Sequence, residues 1–132
     1  MADTSTAGRI GVTGVSTVAV PTSDADRALA FFEKLGFEKR RDATFGPGMR
    51  WVEVAPPGAV TTIALAPHRE GTPIGIDTGV RFITKNPESD HAELKARGVD
   101  VDAEIMRFGG PVPPLFYFRD PDGNGYVIVG GA

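Results

Sequence analysis

Along this chain the spacing of apolar positions changes twice in the same order. "VSTVAV" alternates like a strand, and "DADRALAFFEKL" then sets Ala28, Phe32 and Leu35 at helical spacing before Gly36, a suitable residue just past a helix end. Ser23 is the expected cap of that helix, with Asp26 in its first turn. "FEKRRD", "MRWVEV" and "AVTTIALA" follow as strands, with a turn at "APPG". After the polar, Gly/Pro-rich stretch "PHREGTPIGIDTG" the order returns. It runs "VRFIT", a helix "PESDHAELKAR" entered through Asn86 and Pro87 and closed by Gly98, then "VDVDAEI", "PLFYF", a "DPDG" turn and "NGYVIV". In that turn Pro121 presets φ for a type I corner, Asp120 can bond its own backbone and Gly123 closes it.

The pattern predicts an α+β fold of two βαβββ modules sharing one domain. A flexible tail is expected over residues 1–10, the first module over 11–67, a linker over 68–78 and the second module over 79–130. Strand parity divides the side chains of each sheet into two faces. Val18, Val20, Val52, Val54, Ile63, Leu65, Val80, Phe82, Phe116, Phe118, Tyr126 and Ile128 make one bulky apolar set, suited to a face covered by helices. The opposite set holds Thr17, Ala19, Trp51, Glu53, Thr62, Ala64, Gly79, Arg81, Leu115, Tyr117, Gly125, Val127 and Val129. Its many small residues suit the lining of a cleft.

Composition narrows the function by exclusion. The net charge of −3 provides no basic footprint for nucleic acid or an anionic membrane surface. The absence of cysteine excludes disulfides, thiolate metal sites and thiol nucleophiles. No apolar run approaches the roughly 20 residues of a membrane span, and the opening "MADTSTAGRI" lacks the apolar core of a signal peptide. A cytoplasmic protein with neither nucleic-acid nor membrane partners is expected.

Together, the helix-entry segment "VAVPTSDADRALAFFEKLGF" and the turn "FYFRDPDGNGYVIV" resemble the vicinal oxygen chelate superfamily, which includes glyoxalase I, extradiol dioxygenases, and fosfomycin- and bleomycin-resistance proteins. The resemblance covers residues 10–130. It implies paired modules curved around a U-shaped cleft, commonly in a homodimer. Metal-dependent members carry His or Gln on the first strand of each half and Glu on the last. Thr17 and Gly79 occupy the matching first-strand positions here, and Ala64 and Val127 the last-strand ones. Side chains of this kind cannot hold a divalent ion, so neither metal nor other cofactor is expected. His68, at the linker, and His91, on the second helix, are expected to be solvated and outside the cleft, which excludes a Ser-His-Asp constellation.

The candidate ligand-binding residues are Arg81, Tyr117, Trp51, Glu53, Leu115 and Val127; no catalytic residue is assigned. Arg81 can bind an anion through its fork, or can pair with Glu53 or a dimer partner. The Tyr117 hydroxyl can donate to a ligand oxygen, as the corresponding tyrosine of fosfomycin-resistance relatives contacts ligand, or can point to water over a packed ring. Glu53 is a base if burial raises its pKa, and otherwise the partner of Arg81. Trp51 offers a stacking wall or core packing, and the connection at residues 106–116 a lid or a plain loop.

Three functions remain open: a metal-free protein that binds a small hydrophobic or aromatic molecule, an enzyme of the same superfamily with a non-standard or metal-free site, and a dimeric module without its own ligand.

Overall fold

The computed structural model describes residues 8–131; of the tail expected over 1–10, residues 1–7 lie outside it. The first module comprises β1 (Thr17–Thr22), α1 (Ala25–Lys34), β2 (Glu38–Thr44), β3 (Arg50–Ala55) and β4 (Thr62–Pro67). The second comprises β5 (Asp77–Thr84), α2 (Pro87–Ala96), β6 (Asp100–Val101), β7 (Leu115–Arg119) and β8 (Gly125–Gly130). Each module makes its own four-stranded sheet, ordered β1-β4-β3-β2 and β5-β8-β7-β6, with the outer β1 and β5 parallel to their neighbours and the other pairings antiparallel. The expected α+β architecture of two βαβββ modules is therefore present. Among the described residues no helix is long and apolar enough to cross a membrane.

Helix α1 lies between the two sheets. It packs on β2, β3 and β4 of its own module, and its aromatic side also meets the other. Phe31 stacks on Phe118 at 6.3 Å, and Phe32 meets Tyr126 edge to face at 5.5 Å. Just beyond the helix Phe37 meets Phe82 at 5.3 Å. Every residue assigned to the bulky apolar face by strand parity lies in, or packs against, this single core. Burying one ring such as Phe32 contributes roughly 1.5–3 kcal/mol, so the two modules depend on a shared apolar interior. Because both sheets turn their helix-covered faces to this core, their opposite faces look outward, away from one another. No strand of one sheet is hydrogen-bonded to a strand of the other among the described residues.

The "DPDGN" turn fastens the second module to the first. Its corner is closed by the Gly123 amide donating to the Asp120 carbonyl at 2.9 Å, with Gly123 at φ +83°. The Asn124 side chain, wholly buried, donates to the Pro21 carbonyl at 2.8 Å and accepts from the Gly75 and Ile76 amides at 2.9 and 3.1 Å. Asp122 accepts from the Ser23 amide at 3.0 Å, the Thr22 hydroxyl at 2.9 Å and Arg27 at 2.8 Å. Ser23 is thus not the cap of α1, because its hydroxyl is also engaged by Asp122; Asp24 takes that place and accepts from the Arg27 amide at 3.1 Å. Asn86 caps α2 with Pro87 at its start, as expected.

Candidate functional site

On the outward face of the second sheet, Val127 stands between two polar side chains. Arg81 pairs with it in register from β5, and Tyr117 from β7. A bulge in β5 produces this register: the pairing slips between Asp77 and Arg81, with Gly79 at φ +74°. The Thr78 hydroxyl bridges the gap by donating to the Gly125 carbonyl at 2.7 Å and accepting from the Val80 amide at 3.1 Å. Bulges re-aim side chains, and beyond this one Arg81 and Ile83 project outward. Tyr117 is held at its backbone, where its amide donates to Asp102 at 3.0 Å and its carbonyl accepts from the Asp102 amide at 3.0 Å. Its ring lies over Gly125, where a Cβ would come within 3.7 Å of Cδ2.

Arg81 is exposed and Tyr117 half-buried. Among the described residues the Arg81 guanidinium and the Tyr117 hydroxyl have no hydrogen-bond or ionic partner. Leu115 and Val127 supply apolar ground beside them, exposed by only 9% and 2%. Arg81 also borders a depression of about 470 Å³ along the open edge of β5, lined in part by Val18, Ile63 and Ile83.

The outward face of the first sheet carries the other candidates. Trp51 Nε1 donates to Glu53 Oε2 at 2.8 Å, and the Thr62 hydroxyl donates to Glu53 Oε1 at 2.8 Å. Arg41, across the β2–β3 pair, is 3.9 Å from the same carboxylate. The Trp51 bond foremost, with Thr62 and Arg41, holds Glu53 below the usual carboxylate range although burial opposes it. Two expectations fail on this geometry. Glu53 is not a base with a raised pKa, and it does not pair with Arg81, because its oxygens are satisfied within its own sheet. Ala43 faces Trp51 across the β2–β3 pair, and Ala64 faces Glu53 across the β3–β4 pair. Thr62 and Arg41 were not singled out beforehand. Parity places Thr62 on this face, and the strand pairing that brings Arg41 alongside is a tertiary fact.

The six candidates thus fall into two groups. Arg81, Tyr117, Leu115 and Val127 share the second sheet, and Trp51 and Glu53 the first. No hydrogen bond or ion pair joins the groups within one chain. The four positions that the superfamily uses for metal do not fit a divalent ion. Thr17 Oγ1 donates to the Thr62 carbonyl at 3.1 Å, and Gly79, Ala64 and Val127 offer no side-chain donor atom. Among the described residues no three His, Cys, Asp or Glu side chains gather as a metal site. His68 is exposed, with Nε2 2.6 Å from the Thr72 carbonyl. His91 is not solvated as expected: its ring packs edge-on to Phe116 at 4.9 Å, and Nε2 lies 2.7 Å from the Asp102 carbonyl. The 102–114 connection is itself pinned, through the Met106–Leu115 bridge and a tight bend between Gly109 and Val112.

Comparison with known proteins agrees with this architecture. Residues 14–128 match the model of the Glyoxalase/Bleomycin resistance protein/Dioxygenase superfamily. The chain is 31% identical over 119 residues to the uncharacterized protein YetH of Bacillus subtilis, covering 86% of this chain and 95% of YetH. Among solved structures, a superfamily member from Sphaerobacter thermophilus superposes with a TM-score of 0.80 at 35% identity, covering 92% of this chain and 100% of the other. TnmS3, an antibiotic binding protein from Streptomyces sp. CB03234, superposes with a TM-score of 0.78 at 31% identity, covering 94% and 100%. The sequence match, the doubled βαβββ unit and its strand order together make this chain a member of the glyoxalase/bleomycin resistance protein/dioxygenase superfamily.

Proposed function

We propose that the protein binds, without a metal, a small apolar or aromatic molecule bearing an anionic or carbonyl oxygen. One observation carries this reading: Arg81 and Tyr117 flank Val127 with a guanidinium and a phenol that the described protein leaves unpartnered. A guanidinium fork and a phenolic hydroxyl are donors suited to a carboxylate, sulfonate or carbonyl oxygen. Leu115 and Val127 supply the apolar contact beside them, and Trp51 the flat wall opposite. The similarity to an antibiotic-binding protein supports the ligand class.

The two outward faces look apart within one chain, so the cleft takes its halves from two copies. The face with Trp51 on one protomer meets the face with Arg81 and Tyr117 on its partner. Ile83, 72% exposed on the outward face of β5, and Phe45 and Phe108, 62% and 66% exposed in the loops beside the two sheets, are apolar surface that such a dimer would bury. The test is a thermal-shift screen of antibiotics and aromatic acids, followed by calorimetry on each compound that raises the melting temperature. No shift with any compound, together with a dimer whose cleft is filled by its own side chains, would leave a ligandless module in place of a binding protein.

A further inference from the structure

Glu53 is a carboxylate on the outward face of the first sheet, in the middle of β3. Each of its oxygens accepts a hydrogen bond from inside the protein. Oε2 accepts from the Trp51 indole, and Oε1 from Thr62. Thr62 Oγ1 in turn lies 2.7 Å from Thr17 Oγ1, whose hydroxyl donates to the Thr62 carbonyl. The chain of bonds therefore runs across β3, β4 and β1. Arg41 approaches from β2 at 3.9 Å and is the one ionic partner of the carboxylate among the described residues. Trp51 is half-buried, and its strand partner on β2 is the small Ala43. An aromatic side chain on a sheet has a broad χ2 range unless something locks it. Here that lock is a bond to the residue two places along the same strand, on the same face.

Building on the proposed ligand class, we infer that Glu53 is a positioning residue. It fixes the plane of Trp51 as a ready-made wall for the planar aromatic part of the ligand, and does not touch the ligand itself. A wall fixed before binding loses less side-chain freedom when the ligand arrives. Glutamine can replace the carboxylate in this role, because its amide oxygen still accepts from the indole and Thr62 can turn its hydroxyl to Thr17. Leucine cannot.

Trp51 is the only tryptophan in the chain, so its fluorescence reports this ring alone. Time-resolved anisotropy and acrylamide quenching are measured on wild type, Glu53→Gln and Glu53→Leu, with far-UV circular dichroism to confirm the fold; Glu53→Ala is the second variant should leucine prevent folding. Wild type and Glu53→Gln are expected to show only overall tumbling. Glu53→Leu or Glu53→Ala adds a fast local component and raises the quenching constant at least about twofold. Equal ring mobility in wild type and Glu53→Leu would overturn the positioning role, as would a Glu53→Gln protein that behaves like the leucine variant. No ligand enters these measurements, so they test whether Glu53 fixes the ring separately from the binding function, which an empty ligand screen would sink.

Discussion

Asp122 in the β7–β8 turn and Ser23 at the entrance to α1 are 99 positions apart, yet the Ser23 amide donates to the Asp122 carboxylate at 3.0 Å. Thr22 and Arg27 bring further donors to the same carboxylate, whose side chain is only 7% exposed. Hydrogen bonds to a charged group are worth about 1.5–3 kcal/mol each when their loss leaves partners unsatisfied. Asp122→Ala is expected to destabilise the whole domain by at least about 2 kcal/mol in urea unfolding, with a single transition. Two separated transitions would show that the modules do not depend on this clamp.

The same clamp makes stability depend on pH. Burial alone would raise the Asp122 carboxyl, but the bonds from Ser23 and Thr22 and the charge of Arg27 outweigh it and hold the pKa below the ordinary value. A depressed carboxylate contributes stability that is fully present above its unfolded pKa, about 3.9, and is lost as pH falls through the folded value. The midpoint of urea unfolding should therefore drop below about pH 4, and drop less steeply in Asp122→Asn than in the parent. Parallel acid profiles would assign the loss to other carboxylates.

Asn124 carries a second link between the modules. Its buried amide spans the end of β1 and the segment before β5. Asn124→Ala leaves the Gly75 and Ile76 amides and the Pro21 carbonyl without this partner, with an expected cost of about 2–4 kcal/mol in unfolding free energy. A cost under about 0.5 kcal/mol would mean that water replaces the side chain freely.

Much of this architecture is legible in the sequence because strand parity is a local rule. Val52 with Val54, and Phe116 with Phe118, go inward as their alternation requires. The equal spacing of helix and strands in the two halves reveals the doubled module for the same reason. Parity assigns Trp51 and Arg81 each to an outward face but says nothing of how the two faces sit relative to each other. That relation is decided by Phe31 and Phe32 of α1 packing on Phe118 and Tyr126, a contact between distant segments. The partner of Glu53 was nearer to hand, since Trp51 two residues back shares its face. The histidine expected in water is instead held by Asp102 and Phe116, which follow it by 11 positions and by a longer loop that no local pattern brings back.

The proposed cleft implies an assembly and a composition that can be weighed. Sedimentation at micromolar concentration is expected to give about 28 kDa, twice the 13.9 kDa chain. A folded species of single-chain mass that persists at all concentrations would contradict a cleft shared between copies. Elemental analysis after dialysis should find well under one divalent metal per chain. A stoichiometric zinc, nickel or iron held on the outward faces would contradict the assignment of Thr17, Ala64, Gly79 and Val127 to the superfamily's metal positions.

The binding function itself is tested most directly by calorimetry on the strongest hit from the ligand screen, with wild type, Arg81→Met and Tyr117→Phe side by side. Loss of a charged hydrogen bond is expected to weaken binding by roughly 10- to 150-fold in Arg81→Met. Loss of a neutral one should cost about 1 kcal/mol, near fivefold, in Tyr117→Phe. Among the described residues neither the guanidinium nor the phenol hydroxyl has a hydrogen-bond or ionic partner to lose, so both variants should unfold within about 0.5 kcal/mol of the parent. An affinity unchanged by both substitutions would place the ligand elsewhere and contradict the site.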